Sequence, residues 1–123
     1  MKALASSQYK NFGPEFLFGS TTHGWLSDLN DLNGWVEVSF DFPVSGLTIE
    51  SGFHEFPDRE DWGWHARPER IRLSDGVEIV LEDTDVTQTI SFQAPMQTVR
   101  IDILSVYPGS KFNVVGIKRI SPI

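Results

Sequence analysis

Trp35-Val36-Glu37-Val38-Ser39-Phe40 decides the fold class. Apolar Val36, Val38 and Phe40 alternate with Trp35, Glu37 and Ser39, the period-two pattern of a strand with one face in a core and the other toward water. Pro43 is expected to stop this strand, and Leu47–Ser51 reads as the next. Further on, Arg70-Ile71-Arg72-Leu73 alternates again. Ser74-Asp75-Gly76 then signals a tight hairpin turn into a strand with Val77, Ile79 and Leu81 on one face. Gln88–Gln93 carries Ile90 and Phe92 inward and is expected to break at Pro95. Val99, Ile101 and Ile103 alternate against Arg100 and Asp102, and Val114–Ile120 forms the last strand. Upstream, Asn11–Phe18 holds at most one short turn with Pro14 near its start, and residues 21–34 read as loop. Seven or eight short strands at roughly 8–12 residue spacing, with no long helix, predict an all-β sandwich or barrel.

The totals agree with one domain spanning residues 1–123. The chain is 40% apolar and 12% aromatic, enough for a packed core. Its net charge of −7 disfavours nucleic acid and anionic membrane surfaces as partners. Without cysteine, disulfides, thiolate nucleophiles and Cys-ligated metal sites are excluded. No apolar run is long enough for a membrane-spanning helix, so no membrane insertion is expected. Residues 1–12, MKALASSQYKNF, contain one early Lys but no apolar segment, and do not read as an intact signal peptide.

Between the Leu47–Ser51 and Arg70–Ser74 strands lies a long connection rich in aromatic, His, Arg and acidic residues. Loops of this length in compact domains are usually functional or disordered, and its aromatic content argues against disorder. Trp62 and Trp64 flank Gly63. In an extended backbone both indoles point the same way, toward the C–H faces of a sugar or, alternatively, as plugs at one end of the sandwich. His65 and Arg67 offer donors and acceptors for hydroxyls. The other reading of Arg67 is an ion pair with a loop carboxylate such as Asp58 or Asp61. His54, Phe56 and Asp58 complete the candidate rim. Trp25 and Trp35 are expected in core or semi-core packing. The His and acidic residues of the loop lack metal-site spacing, and a solvated acidic loop with internal ion pairs is the preferred reading.

Other pieces carry a resemblance. They are Ala5-Ser6-Ser7, the run Leu17–Trp25, Trp35-Val36-Glu37-Val38, Ile49-Glu50-Ser51-Gly52-Phe53, Arg67–Leu73 and Val106-Tyr107-Pro108-Gly109-Ser110-Lys111-Phe112-Asn113. Taken in this order they resemble the galactose-binding-like β-sandwich of the discoidin (coagulation factor type C) superfamily, most of all its NADase-type glycan-binding branch. The resemblance implies a jelly-roll β-sandwich and a carbohydrate-binding module, secreted and serving as an accessory domain of a larger protein, or else a monomer. It also implies a structural calcium in many members. Here Phe18, His23 and Arg119 stand at ligand positions of that site, so the calcium is expected to be lost and no cofactor is expected.

No nucleophile-elbow, zinc-protease, P-loop or dinucleotide motif is present, and an enzyme is not expected. The expected function is non-catalytic binding of a glycan or polysaccharide through Trp62, Trp64, His65, Arg67, His54, Phe56 and Asp58. The second reading is a protein-interaction module on the same fold.

Overall fold

The computed structural model of the chain describes residues 1–19, 24–55 and 60–123. Its strands are β1 (Lys2–Ala5), β2 (Trp25–Leu26), β3 (Trp35–Ser51), β4 (Arg67–Leu73), β5 (Glu78–Val80), β6 (Gln88–Tyr107) and β7 (Gly116–Pro122). Short 3-10 turns cover Pro14–Phe18 and Trp62–Trp64, and no α-helix occurs among the described residues. The named strands pair antiparallel in the order β2-β7-β3-β6-β4-β5, with β1 also on β3.

Two long strands turn this single ladder into two layers. The first part of β3, Trp35–Ser39, pairs with β1 and with Thr98–Asp102 of β6. The later part of β3 pairs with β7 and with Gln88–Ser91 of β6. β4 joins the second half of β6, with Ile71 opposite Ile103, and β5 extends that layer. Val36, Val38, Ile71, Val99 and Ile101 from one layer share one buried cluster with Leu47, Ile49, Ile90, Ile117 and Ile120 from the other. The halves therefore face each other as a jelly-roll β-sandwich, the arrangement that lets each period-two apolar face leave water.

Contrary to the expectation from sequence, the strands do not stop at the prolines. β3 runs through Pro43 and β6 through Pro95. The register jumps from Ser39 opposite Thr98 to Val44 opposite Met96, then to Gly46 opposite Ser91. Pro43 and Pro95 lie in these jumps, where a missing N–H costs no ladder bond and a bulge bends the strand from one layer to the other. Both chain ends are tied to this corner. The Met1 ammonium lies 2.9 Å from Asp41, and the Ile123 N–H donates to the Gly46 carbonyl.

Other expectations hold. Leu73 and Val77 close the Asp75-Gly76 hairpin, with Gly76 at φ +89°, a region that favours glycine. Trp25 is fully buried and donates its indole N–H to the Ser7 carbonyl. Trp35 is half-buried, with the Arg100 guanidinium 4.4 Å from its ring centroid.

Candidate functional site

The end of the sandwich opposite the corner carries the candidate loop. Trp62-Gly63-Trp64 is a 3-10 turn, closed by the Trp64 N–H on the Asp61 carbonyl, rather than the extended segment its alternation suggests. Three residues are too short for periodicity to fix a conformation, and the local hydrogen bond decides. Trp62 donates its indole N–H to the Ser51 carbonyl at 2.8 Å and lies 5.0 Å from the Arg67 guanidinium. It packs on Gly52, whose φ is +92° and where an added Cβ would stand 2.1 Å from the indole nitrogen. Trp64 is half-buried, with the Lys111 ammonium 3.6 Å from its ring centroid. The carbonyls of Gly63 and Trp64 accept N–H bonds from Ser110, Lys111 and Phe112, so the Pro108–Phe112 turn is docked on the tryptophan turn.

Arg67 is buried, 7% exposed. Its Nε and Nη2 donate to the two oxygens of Asp83 at 2.9 Å, and Nη1 reaches the carbonyls of Gly63, His65 and Pro108 at 3.1–3.3 Å. The partner carboxylate is thus Asp83, sixteen residues along the chain, and not Asp58 or Asp61. Asp61 is fully buried and accepts from the Glu55 N–H, with Nδ1 of His54 at 3.0 Å. Nε2 of His54 lies 3.1 Å from Asp85, which also pairs with Lys118 at 2.7 Å. Of these contacts, His54–Asp61 lies within the loop, while Arg67 and His54 reach Asp83 and Asp85 beyond it, and Asp61 is buried instead of solvated. Among the described residues, no cluster of three or more His, Asp or Glu is placed to hold a metal ion.

His65 is 5% exposed and sits between aromatic rings: Phe53 edge-on at 4.9 Å and Phe112 stacked at 4.8 Å. Burial lowers its pKa from 6.5 to about 4, with Asp61 pulling weakly the other way, so the ring is neutral at pH 7. Its Nδ1 is buried without a hydrogen-bond partner. Phe12 continues the row, edge-on to Phe53 at 5.0 Å.

This row lines an open cleft of about 150 Å³. Tyr9, Phe12, Phe53 and Phe112 supply its aromatic surface, and Leu26, Leu29 and Val114 the aliphatic part. Lys10, Glu55 and His65 are its polar members. Leu29 and Phe112 are large apolar side chains left exposed, at 59% and 41%.

Of the described residues among those expected from sequence, His65 alone is in the cleft lining. Trp62, Arg67 and His54 are engaged in holding the loop, and Trp64 adjoins Phe112 through the backbone. Phe56 and Asp58, and His23 of the calcium positions, lie outside the described residues. Tyr9, Lys10, Phe12, Leu29, Glu55 and Phe112 are cleft residues that sequence reading passed over. The available signal was aromatic residues in turn segments instead of strands, as at Phe12 and Phe112. At the other calcium positions, Phe18 packs edge-on to Phe40. Arg119 faces Glu50 across the β3–β7 ladder, with Nε 3.6 Å from its carboxylate. Neither of these two side chains carries an oxygen donor for a hard cation.

No protein-family model matches the sequence, and no curated protein matches it. Solved structures do. The family 32 carbohydrate-binding module of C. perfringens NanJ, determined with galactose, superposes with a TM-score of 0.66 at 16% identity, over 97% of this chain and 90% of that one. An F5/8 type C domain from Bacteroides fragilis gives 0.66 at 13% identity, over 97% and 87%. A fucose-binding module of Streptococcus pneumoniae gives 0.62 at 12% identity, over 99% and 89%. At these identities the likeness is one of fold: the chain has the galactose-binding-like, discoidin-type β-sandwich.

Proposed function

We propose that this chain is a non-catalytic glycan-binding module whose ligand enters the cleft beside the tryptophan turn. The observation that carries this reading is the aromatic row Phe12–Phe53–His65–Phe112 lining a cleft on a fold whose solved relatives include sugar complexes. Aromatic faces stack on the C–H faces of pyranose rings. Phe112, exposed and held flat on His65, takes the stacking role assigned from sequence to the tryptophans. Trp64 and Lys111 form the neighbouring rim, while Trp62, Arg67 and His54 keep the loop in shape. A platform this small predicts weak binding, on the order of micromolar to millimolar. Hydrolysis of a glycoside needs two carboxyl groups across the ligand, and Glu55 is the one carboxylate of the cleft lining among the described residues. Service as a secreted accessory domain of a larger protein, and a fold that stands without the calcium of its relatives, belong to the same proposal.

A glycan array tests it, with Phe112→Ala as the cleft variant and Trp64→Ala as the rim variant. Binding by the native chain that Phe112→Ala abolishes supports the cleft. No glycan bound, with a stable protein partner recovered by pull-down, favours the second reading. For that reading the exposed pair Leu29 and Phe112 would be the docking hot spot.

A further inference from the structure

Away from the cleft, the outward face of the β1-β3-β6-β4-β5 layer carries its own pattern. Residues directly opposite in an antiparallel ladder share a face, so the register fixes what stands beside what. One row across the layer reads Glu78, Arg72, Asp102, Trp35, and the next Arg100, Glu37, Leu4. Arg70 beside Val80 and Lys2 beside Ser39 complete it. Core packing gives no reason for apolar residues on this side. Yet Trp35 is half-buried here, and Leu4 and Val80 are 48% and 61% exposed.

Charge is distributed as unevenly. The chain carries −7, with 17 Asp and Glu against 10 Lys and Arg. On this face the cations are in the majority: Lys2, Arg70, Arg72 and Arg100 stand among Glu37, Glu78 and Asp102. Arg100 is engaged locally. Its Nε donates to Asp102 at 3.0 Å, and its guanidinium lies 4.4 Å from the Trp35 ring centroid. No ion pair among the described residues includes Lys2, Arg70 or Arg72. Exposed arginines around a tryptophan are the composition of a protein-binding surface.

We infer that this face docks an acidic polypeptide partner, which sets carboxylates opposite Arg70, Arg72 and Lys2 and apolar side chains opposite Trp35, Leu4 and Val80. The carboxylates in the same rows decide against a densely charged polymer such as a sulfated polysaccharide. Its anions would also fall on Glu37, Glu78 and Asp102, at a cost. A polypeptide spaces its acids and interleaves them with apolar groups. A second copy, meeting the face with the same face, would bring the same excess of cations and not the carboxylates they lack.

The test is an NMR titration of the isotope-labelled chain with a random copolymer of glutamate and tyrosine, with heparin as the comparison polyanion. The copolymer is expected to shift the backbone resonances of Lys2–Ala5, Trp35–Ser39, Arg70–Arg72 and Thr98–Asp102, and heparin to leave them in place. Raising the salt from about 0.05 M to about 0.5 M should weaken the copolymer about tenfold or more, as screening requires. Arg70→Glu and Arg72→Glu change exposed side chains and spare the core. Each is expected to weaken the copolymer about tenfold or more, whereas Arg72→Lys keeps the charge and most of the affinity. Three results overturn the inference. One is a face that the copolymer does not shift at millimolar concentration. Another is an equal response to heparin, which would make the face a general anion binder. The third is self-association of the native chain that Arg72→Glu abolishes, which would give the face to a second copy. The face shares no residue with the cleft lining, so none of these results bears on the glycan reading.

Discussion

Arg67 directs all three guanidinium nitrogens inward, two to Asp83 and one to three backbone carbonyls. Its removal would leave those carbonyls short of donors and let the turns at Gly63 and Pro108 part. Arg67→Ala is therefore expected to cost roughly 2–3 kcal/mol in urea unfolding, less than a fully buried pair because Asp83 is partly exposed and regains water. Arg67→Lys should rescue little, since an ammonium cannot span the bidentate geometry. An unchanged midpoint for Arg67→Ala would show that the turns hold themselves.

His65 makes a pH-dependent contribution of definite sign. Its ring titrates near 6.5 when unfolded and about 4 when folded. Between those values the unfolded chain binds a proton that the native chain refuses, so acid favours unfolding. The stability from neutral His65 is complete above about pH 6.5 and is lost as pH falls through about 4. His65→Phe should shrink the drop in Tm between about pH 7 and pH 4.5, and parallel curves for the two proteins would refute this. The residue types here were legible in sequence as polar and aromatic. Which of them faced inward was not, because Arg67 finds its carboxylate far along the chain and His65 finds Phe112 in another turn.

Strand character was legible where alternation ran unbroken, as at Trp35–Phe40 within β3 and Val99–Ile103 within β6. They misled at Pro43 and Pro95, which punctuate a sequence but in the sandwich fall in register jumps that need no N–H. The two kinds of position separate experimentally. Pro43→Ala and Pro95→Ala should each change stability by less than about 1 kcal/mol. Thr48 pairs with Thr89 on one side and Ser121 on the other. Thr48→Pro should cost about 3 kcal/mol or more and leave little folded protein in a thermal melt. A well-folded Thr48→Pro would mean that the central ladder tolerates a gap. The Trp62–Trp64 turn gives the complementary lesson. Three alternating residues look like a strand, and only the hydrogen bonds to Asp61 and to the Pro108–Phe112 turn make them a 3-10 bend.

At the scale of the whole molecule, the sandwich was legible because successive runs keep one apolar parity and must close on each other. The cleft was not, since it gathers side chains from segments near residues 9, 29, 55, 65 and 112 that share no local pattern. The absence of oxygen donors at Phe18 and Arg119 has a molecular consequence. A bound ion stabilises a fold by mass action, so under the proposal that the calcium is lost the chain should melt at the same temperature in calcium and in a chelator. A fall of many degrees on adding EDTA would show that other oxygens hold an ion.

The proline corner decides how this module would sit in a longer polypeptide. Lys2, paired with Ser39, and Ile123, bonded to the Gly46 carbonyl, both lie there, while the cleft occupies the far end of the sandwich. Sequence joined before or after would depart from one pole. The aromatic mouth lies at the other pole, so sequence attached at either end would leave from the pole away from it.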